Sequence, residues 1–421
     1  MRASDGKLSF QGAWSMAVGG MVGGGIFSTL GVVIGISGRL AWLSFLVAGV
    51  VALLAGYSYS QLAIRYGEGG GAFTFLREIH REGFAGSLAW VLILGYVLTN
   101  SVYAFTFGAY LNHVIPLGPA GPRLAALGIL LVFLGVNLLG TGEAGGVEVF
   151  LVWFKLLVLF GLAGVGLVRW DPSLLTQGVP DASLGDAIFG AAAVFMAYEG
   201  FQLLTYDYEE IRKPDHTLPR AILWAVSVVI VVYIAVALGT PMLIGAGSIV
   251  EHEEVALSVA GQEALGVFGL VLVTVAAAFS TGSAINATLF ATARLSLEVA
   301  RAGELPGALE HRNRKGAPDR AVIILGVLAA VFASVGTLST LVESASLAFL
   351  FTFAVVSSLA FLRNAGSRVL TGVGALGAGA ATIALVVRLV RTAPLALVGF
   401  GIMVLIAVVG RPLLLRHLRR S

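Results

Sequence analysis

Lys155 is the one basic residue inside the apolar run 147–168, V-E-V-F-L-V-W-F-K-L-L-V-L-F-G-L-A-G-V-G-L-V. That run has the length of a helix that crosses a bilayer. A charge at its centre is costly unless polar groups surround it. The other three lysines, Lys7, Lys213 and Lys315, fall in hydrophilic segments. An amine at mid-membrane that binds and releases a proton would do proton or cation chemistry. Two further stretches could act through their backbone. Gly19-Gly20-Met21-Val22-Gly23-Gly24-Gly25-Ile26-Phe27 puts five glycines in seven positions, each costing about 1 kcal/mol against Ala in a helix. Such a stretch either unwinds, offering N–H and C=O groups to a ligand carboxylate beside the following half-helix, or forms a small-residue packing face. Phe195-Met196-Ala197-Tyr198-Glu199-Gly200-Phe201-Gln202 interrupts a second apolar run at Glu199-Gly200. Glu199 by itself would be a carboxylate satisfied by nearby backbone.

Other polar positions carry less. Asn100, Ser101 and Thr106, and likewise Asn137 and Asn286, suit hydrogen bonds between helices as well as a ligand. Glu343 and Ser344 suit a gate or a solvated helix end, and Glu143 and Glu148 a solvated loop and helix start. The six histidines are scattered at loops and ends, with no metal-binding spacing. Cysteine is absent, and no nucleotide-binding motif is present. No cofactor is expected, nor a nucleic-acid partner, and ATP-driven work within this chain is excluded.

The elements that must position these residues are membrane helices. Hydrophobic residues make up 58% and charged residues 12%, against about 25% charged in soluble domains, and the mean hydropathy is +0.94. Glycine numbers 55 of 421, roughly twice ordinary usage, which suits helices that approach closely or break. The pattern predicts an all-α polytopic protein, one transmembrane domain over 1–421, with twelve spans: 12–36, 40–63, 84–114, 122–140, 146–168, 185–208, 219–241, 266–300, 320–337, 340–362, 371–391 and 393–411. Spans 3 and 8 exceed the bilayer and must tilt or protrude. Segment 248–265, with Glu251, His252, Glu253, Glu254 and Glu263, reads as an amphipathic extracellular piece, and 301–320 as a charged cytoplasmic loop. Of the 26 Lys and Arg, only Arg39, Arg123, Arg169, Arg388 and Arg391 fall in segments opposite the termini; Lys155 lies between, and the rest share the terminal side. That bias makes both termini cytoplasmic, in a multi-pass protein of the cell inner membrane.

Span 6 lies five spans after span 1, and each is interrupted. Two broken helices in corresponding positions point to an inverted repeat with the ligand between them. Spans 1–5, residues 12–168, would be the first unit and spans 6–10, residues 185–362, the second. Residues 371–411 add two helices.

Gly20-Met21-Val22-Gly23-Gly24-Gly25-Ile26-Phe27 resembles the G-x-[IV]-[IV]-G-x-G-I-F signature of helix 1 in the amino acid–polyamine–organocation transporters. Phe195–Phe201, then Glu209-Glu210-Ile211-Arg212-Lys213-Pro214 and Leu218-Pro219-Arg220-Ala221-Ile222, resemble that family's helix 6 and the loop after it. Ala300-Arg301-Ala302-Gly303-Glu304-Leu305-Pro306 resembles the end of its helix 8. The resemblance implies the LeuT fold and secondary transport of amino acids by alternating access. It implies that Val22, Gly23, Gly24, Gly25 and Ile26 hold the substrate carboxylate and that Ala197, Tyr198, Glu199 and Gly200 offer carbonyls to its α-ammonium. Tyr103, Tyr198, Phe201, Asn286 and Phe349 would line the pocket. Relatives that use sodium hold an ion between helices 1 and 8, where this chain offers Ser280, Thr281 and Ser283. In some proton-coupled members a lysine of helix 5 takes the place of that ion, and Lys155 matches the placement. Desolvation disfavours its ammonium while carbonyls and hydroxyls favour it, so Lys155 either couples proton movement to helix 1 or only bolts helices together. The substrate is expected to be a small amino acid or amine, with protons as the coupling partner. Glu199, acidic where many members are neutral, keeps open a polyamine or other organic-amine permease, or an exchanger. A channel or an intramembrane enzyme is the remote alternative, with neither a filter repeat nor a catalytic dyad to support it.

Overall fold

The computed structural model describes residues 7–79, 82–139, 145–411 and 413. Each of the twelve expected spans is helical. The first is α1a (Phe10–Met21) and α1b (Gly25–Ser37); α2 (Ala41–Tyr66), α3 (Glu82–Val114), α4 (Gly121–Leu138) and α5 (Gly145–Val168) follow. The sixth is α6a (Leu184–Ala193) and a 3-10 helical α6b (Phe201–Glu210). Then come α7 (Pro214–Gly239), α8 (Ala256–Arg301), α9 (Asp319–Val335), α10 (Leu338–Leu362), α11 (Arg368–Thr392) and α12 (Pro394–Leu405). The β-type contact among the described residues is a single parallel bridge, Leu8 with Ile211. Eight helical stretches are long and apolar enough to cross a membrane, and the bent pair of the sixth span adds a ninth. Residues Gly25–Tyr66 count there as one stretch, and α9 and α12 are shorter. His80 and Glu143 lie outside the described residues.

Local chemistry sets the element ends. Ser9 caps α1a by accepting from the Gly12 N–H. Ser183 and Asp186 form a reciprocal capping box that starts α6a. Pro214 and Pro394 open α7 and α12, where the missing N–H costs nothing. Large apolar side chains such as Leu131, Leu157, Val331, Leu376 and Leu395 face outward. Polar residues such as Ser28, Thr106, Ser280 and Ser346 are buried inside the bundle. That inversion is what a hydrocarbon surround requires.

Two regions differ in detail from the pattern-based expectation. The segment before span 8 is a short helix, Ala246–Glu251, and then an arm of α8 that turns back at Leu265 and Gly266, where φ is −136° and +64°. The arm packs along the helix it precedes, with Ser258 and Thr274 hydroxyls 2.7 Å apart. Glu343 is not a solvated end: its carboxylate is 5% exposed and accepts from Arg388 Nε of α11 at 2.9 Å.

Candidate functional site

Both central helices break where the sequence interrupts them. Residues 22–24 leave the helix between α1a and α1b. Glu199 is extended, at φ −67° and ψ 146°, and Gly200 takes φ +126°, a conformation that disfavours any side chain. The two breaks touch backbone to backbone. A β-carbon on Gly20 would lie 2.9 Å from Gly200 Cα, and one on Gly200 would lie 2.5 Å from the Gly20 carbonyl carbon. No side chain fits between them.

Neighbouring helices hold this junction by polar contacts. Tyr233 of α7, fully buried, lies 2.8 Å from both the Met21 and the Ala197 carbonyls, so one hydroxyl serves both breaks. Its ring rests on Phe45 and Tyr198 at 5.2 and 5.1 Å between centroids. Ser346 of α10 accepts from the Met196 N–H at 3.0 Å and donates to the Ala193 carbonyl at 2.7 Å. Tyr103 of α3 lays its ring on Gly24 and places its hydroxyl 3.3 Å from Glu199 Oε2. Gln202 donates to Glu199 Oε1 at 3.0 Å and accepts from the Gly200 N–H at 2.9 Å. Glu199 is thus a buried carboxylate held by two neutral donors at the point where the breaks meet.

The expected pocket residues separate into two groups. Tyr103, Gly24 and Glu199 come together, and Val22, Gly23, Gly25, Ile26, Ala197 and Gly200 surround them within the breaks. The other group points elsewhere. Tyr198 donates to the Phe45 carbonyl at 2.8 Å, toward α2 and α7. Phe201 packs on Tyr59 and Phe353. Phe349 packs on Tyr96 and Phe353. Asn286 accepts from Asn137 of α4 at 2.9 Å, on the far side of α8 from the breaks. A β-carbon on Gly25 would meet Tyr233 Oη and the Ala197 carbonyl, and one on Gly23 would meet Ala284. These glycines therefore pack against protein as well as bordering the junction.

Lys155, 1% exposed, donates from Nζ to the Gly19 carbonyl at 3.1 Å. From the opposite side Ser280 of α8 donates to the Val22 carbonyl at 2.5 Å. Thr281 and Ser283 bond within their own helix, to the Ala277 carbonyl at 2.8 Å and the Ser280 carbonyl at 3.4 Å. The end of α1a is therefore gripped by α5 and α8 through its carbonyls. A cavity of about 370 Å³ rises to this point from the face that carries Leu8, Glu210, Arg294 and Glu298, and ends at Gly19 and Gly20. On its way it passes the Asp207–Arg294 ion pair, 3.3 Å, between α6b and α8. Sequence patterns had not singled out Tyr233 or Ser346. A tyrosine in an apolar span reads as core, and only the break it faces gives it a task.

Such a junction of two broken helices, closed around backbone polar groups in an all-helical apolar bundle, fits a membrane protein of the LeuT fold. The sequence matches the amino acid permease family over residues 8–413, and the chain belongs to that family. It is 31% identical over 373 residues to an uncharacterized protein of Methanocaldococcus jannaschii, covering 87% of this chain and 86% of that one. It is 30% identical over 353 residues to the inner membrane transport protein YbaT of Escherichia coli, covering 82% and 81%. It is 26% identical over 302 residues to the serine/threonine exchanger SteT of Bacillus subtilis, covering 70% and 68%. The chain is a transporter and not an enzyme.

Proposed function

We propose that this permease imports amino acids by alternating access and that protons drive it through Lys155. The observation that carries the reading is the Lys155 ammonium on the Gly19 carbonyl, opposite the Ser280 hydroxyl on the Val22 carbonyl. A cation site between α1 and α8 needs those oxygens, and an ammonium supplies the charge from the protein itself. A sodium ion in the same place would meet electrostatic repulsion. Protonated, the amine holds α1a; deprotonated, it loses a charge-assisted hydrogen bond worth about 1.5–3 kcal/mol. That difference lets the proton bias the position of the helix that borders the substrate. Residues 12–168 and 185–362 act as the two inverted halves, with 371–411 outside them. The protein sits in the inner membrane with cytoplasmic ends, so the cavity below Gly19 opens inward. The second reading is an amine permease. It is favoured by Glu199, whose carboxylate faces Tyr103 and Gln202, both neutral.

Uptake in proteoliposomes tests both. Radiolabelled amino acids competed by unlabelled amino acids and then by amines separate the substrate classes. With an inward proton gradient the wild type should accumulate substrate, unchanged when choline replaces sodium. Lys155→Gln should bind and exchange substrate without accumulating it. Accumulation by Lys155→Gln under an imposed pH difference would reduce Lys155 to a structural bolt.

A further inference from the structure

Glu148 was expected at a solvated helix start, as a first-turn acid of α5 facing the helix dipole. Its position says more. The carboxylate is pressed against Gly19, occupying the place a β-carbon there would take. Lys155, two turns further along the same helix, bonds the carbonyl of the same glycine. Seven residues at about 100° each return a side chain to within about 20° of the same face. Glu148 also lines the inward cavity that ends at Gly19 and Gly20, and a shallower groove between α4, α5 and α8. No Lys155–Glu148 ion pair within 4 Å forms among the described residues, so a proton passing between them needs water between.

We propose that Glu148 is the proton-release residue of the transport cycle, linking Lys155 to the cytoplasmic cavity. The proposal rests on the reading of Lys155 given above. In the inward-facing state an Nζ–H bond of the Lys155 ammonium breaks and the electron pair stays on nitrogen. The proton crosses by water to a Glu148 carboxylate oxygen, forming the O–H bond of the acid. Glu148 then gives that proton to bulk water and returns to the carboxylate. One proton has entered the cell, and the freed amine releases its grip on the Gly19 carbonyl. The charged surroundings fit this direction. Facing Glu148 across the cavity are Tyr206, Asp207 and Glu210 of α6b and Arg294 and Glu298 of α8; Leu8 and, from α1a, Gly12, Met16, Gly19 and Gly20 are all uncharged. On the groove side α3 and α4 contribute Phe107, Ile129 and Phe133. Arg294 is bound to Asp207, and Glu210 and Glu298 place further carboxylates along the cavity by which a proton leaves toward the cytoplasm.

The test uses the full-length protein in proteoliposomes, with a uniformly radiolabelled mixture of the L-amino acids as probe. Wild type, Glu148→Gln, Glu148→Asp and Lys155→Gln are compared in two assays: accumulation driven by an inward proton gradient, and counterflow exchange at equal pH. Glu148→Gln should lose about a hundredfold or more of the initial rate of driven accumulation, the low end of the scale of a missing proton-transfer group, while counterflow stays within about twofold. Glu148→Asp should recover part of the driven rate, because it restores a carboxylate. Normal accumulation by Glu148→Gln with none by Lys155→Gln would overturn the role of Glu148 and leave that of Lys155. Normal accumulation by Lys155→Gln would overturn the underlying reading as well. Equal loss of counterflow and accumulation in Glu148→Gln, unrelieved in Glu148→Asp, would make Glu148 a packing residue and also overturn the proposal.

Discussion

Tyr233→Phe removes one oxygen from the point where both breaks are tied. The ring stays, with its contacts to Phe45 and Tyr198 at 5.2 and 5.1 Å, so packing is nearly conserved. What goes is a fully buried hydroxyl 2.8 Å from two carbonyls, those of Met21 and Ala197. Removing one partner of a buried hydrogen bond costs about 1–3 kcal/mol, because the acceptor left behind stays dry. At about 1.4 kcal/mol per factor of ten this is roughly a five- to 150-fold effect. The bond exists only while α1 and α6 keep this relative position, so the loss should fall on that conformation. We expect a raised apparent KM for uptake by roughly this factor and a lowered melting temperature in detergent. Initial-rate uptake of a transported amino acid into proteoliposomes and a thermal-shift assay measure the two. A variant with wild-type KM and wild-type melting temperature would refute the idea that one hydroxyl latches both breaks.

Two further outcomes follow from other parts of the molecule. Arg388→Gln should destabilise the protein more than Glu343→Gln, since it leaves a carboxylate buried without its cation; the loss should sit near or below the low end of about 3–5 kcal/mol, because Arg388 is one-fifth exposed. The double variant should recover part of that loss in the thermal-shift assay, and strictly additive losses would contradict the pairing. Cysteines placed at positions 2 and 419 of this Cys-free chain should resist membrane-impermeant thiol reagents added to intact cells, and ready labelling of both would reverse the assigned orientation.

The breaks in α1 and α6 were legible because glycine clusters and a buried acid violate the rules of an apolar helix locally. A violated rule in a strong pattern is visible without any structure. Which way the side chains beside a break point was not legible. Residues 195–198 and 201–210 are 3-10 helical, advancing about 120° per residue rather than 100°. The facing of Tyr198 and Phe201 cannot be counted from a neighbouring α-helix across such a change. Asn286 illustrates a different limit: a polar residue in the apolar α8 finds its partner on α4, and the choice between α1 and α4 depends on helix rotation. Glu148 was readable in principle. Its seven-residue spacing from Lys155 lies in the sequence, but a charge in a first turn has so ordinary an explanation that the shared face goes unnoticed.

The contact between Gly20 and Gly200 has a mechanical consequence. Side chains at most moving interfaces act as springs, since rotamers shift and absorb part of a displacement. Here main chain bears on main chain at both breaks, and main chain has no rotamers to yield. A tilt of α1a is therefore delivered to α6b without slack, as between two gear teeth. Under the alternating-access cycle proposed above, little of the stroke would be lost between the two helices. The same stiffness means that a single added methyl group at either tooth would jam the pair rather than loosen it.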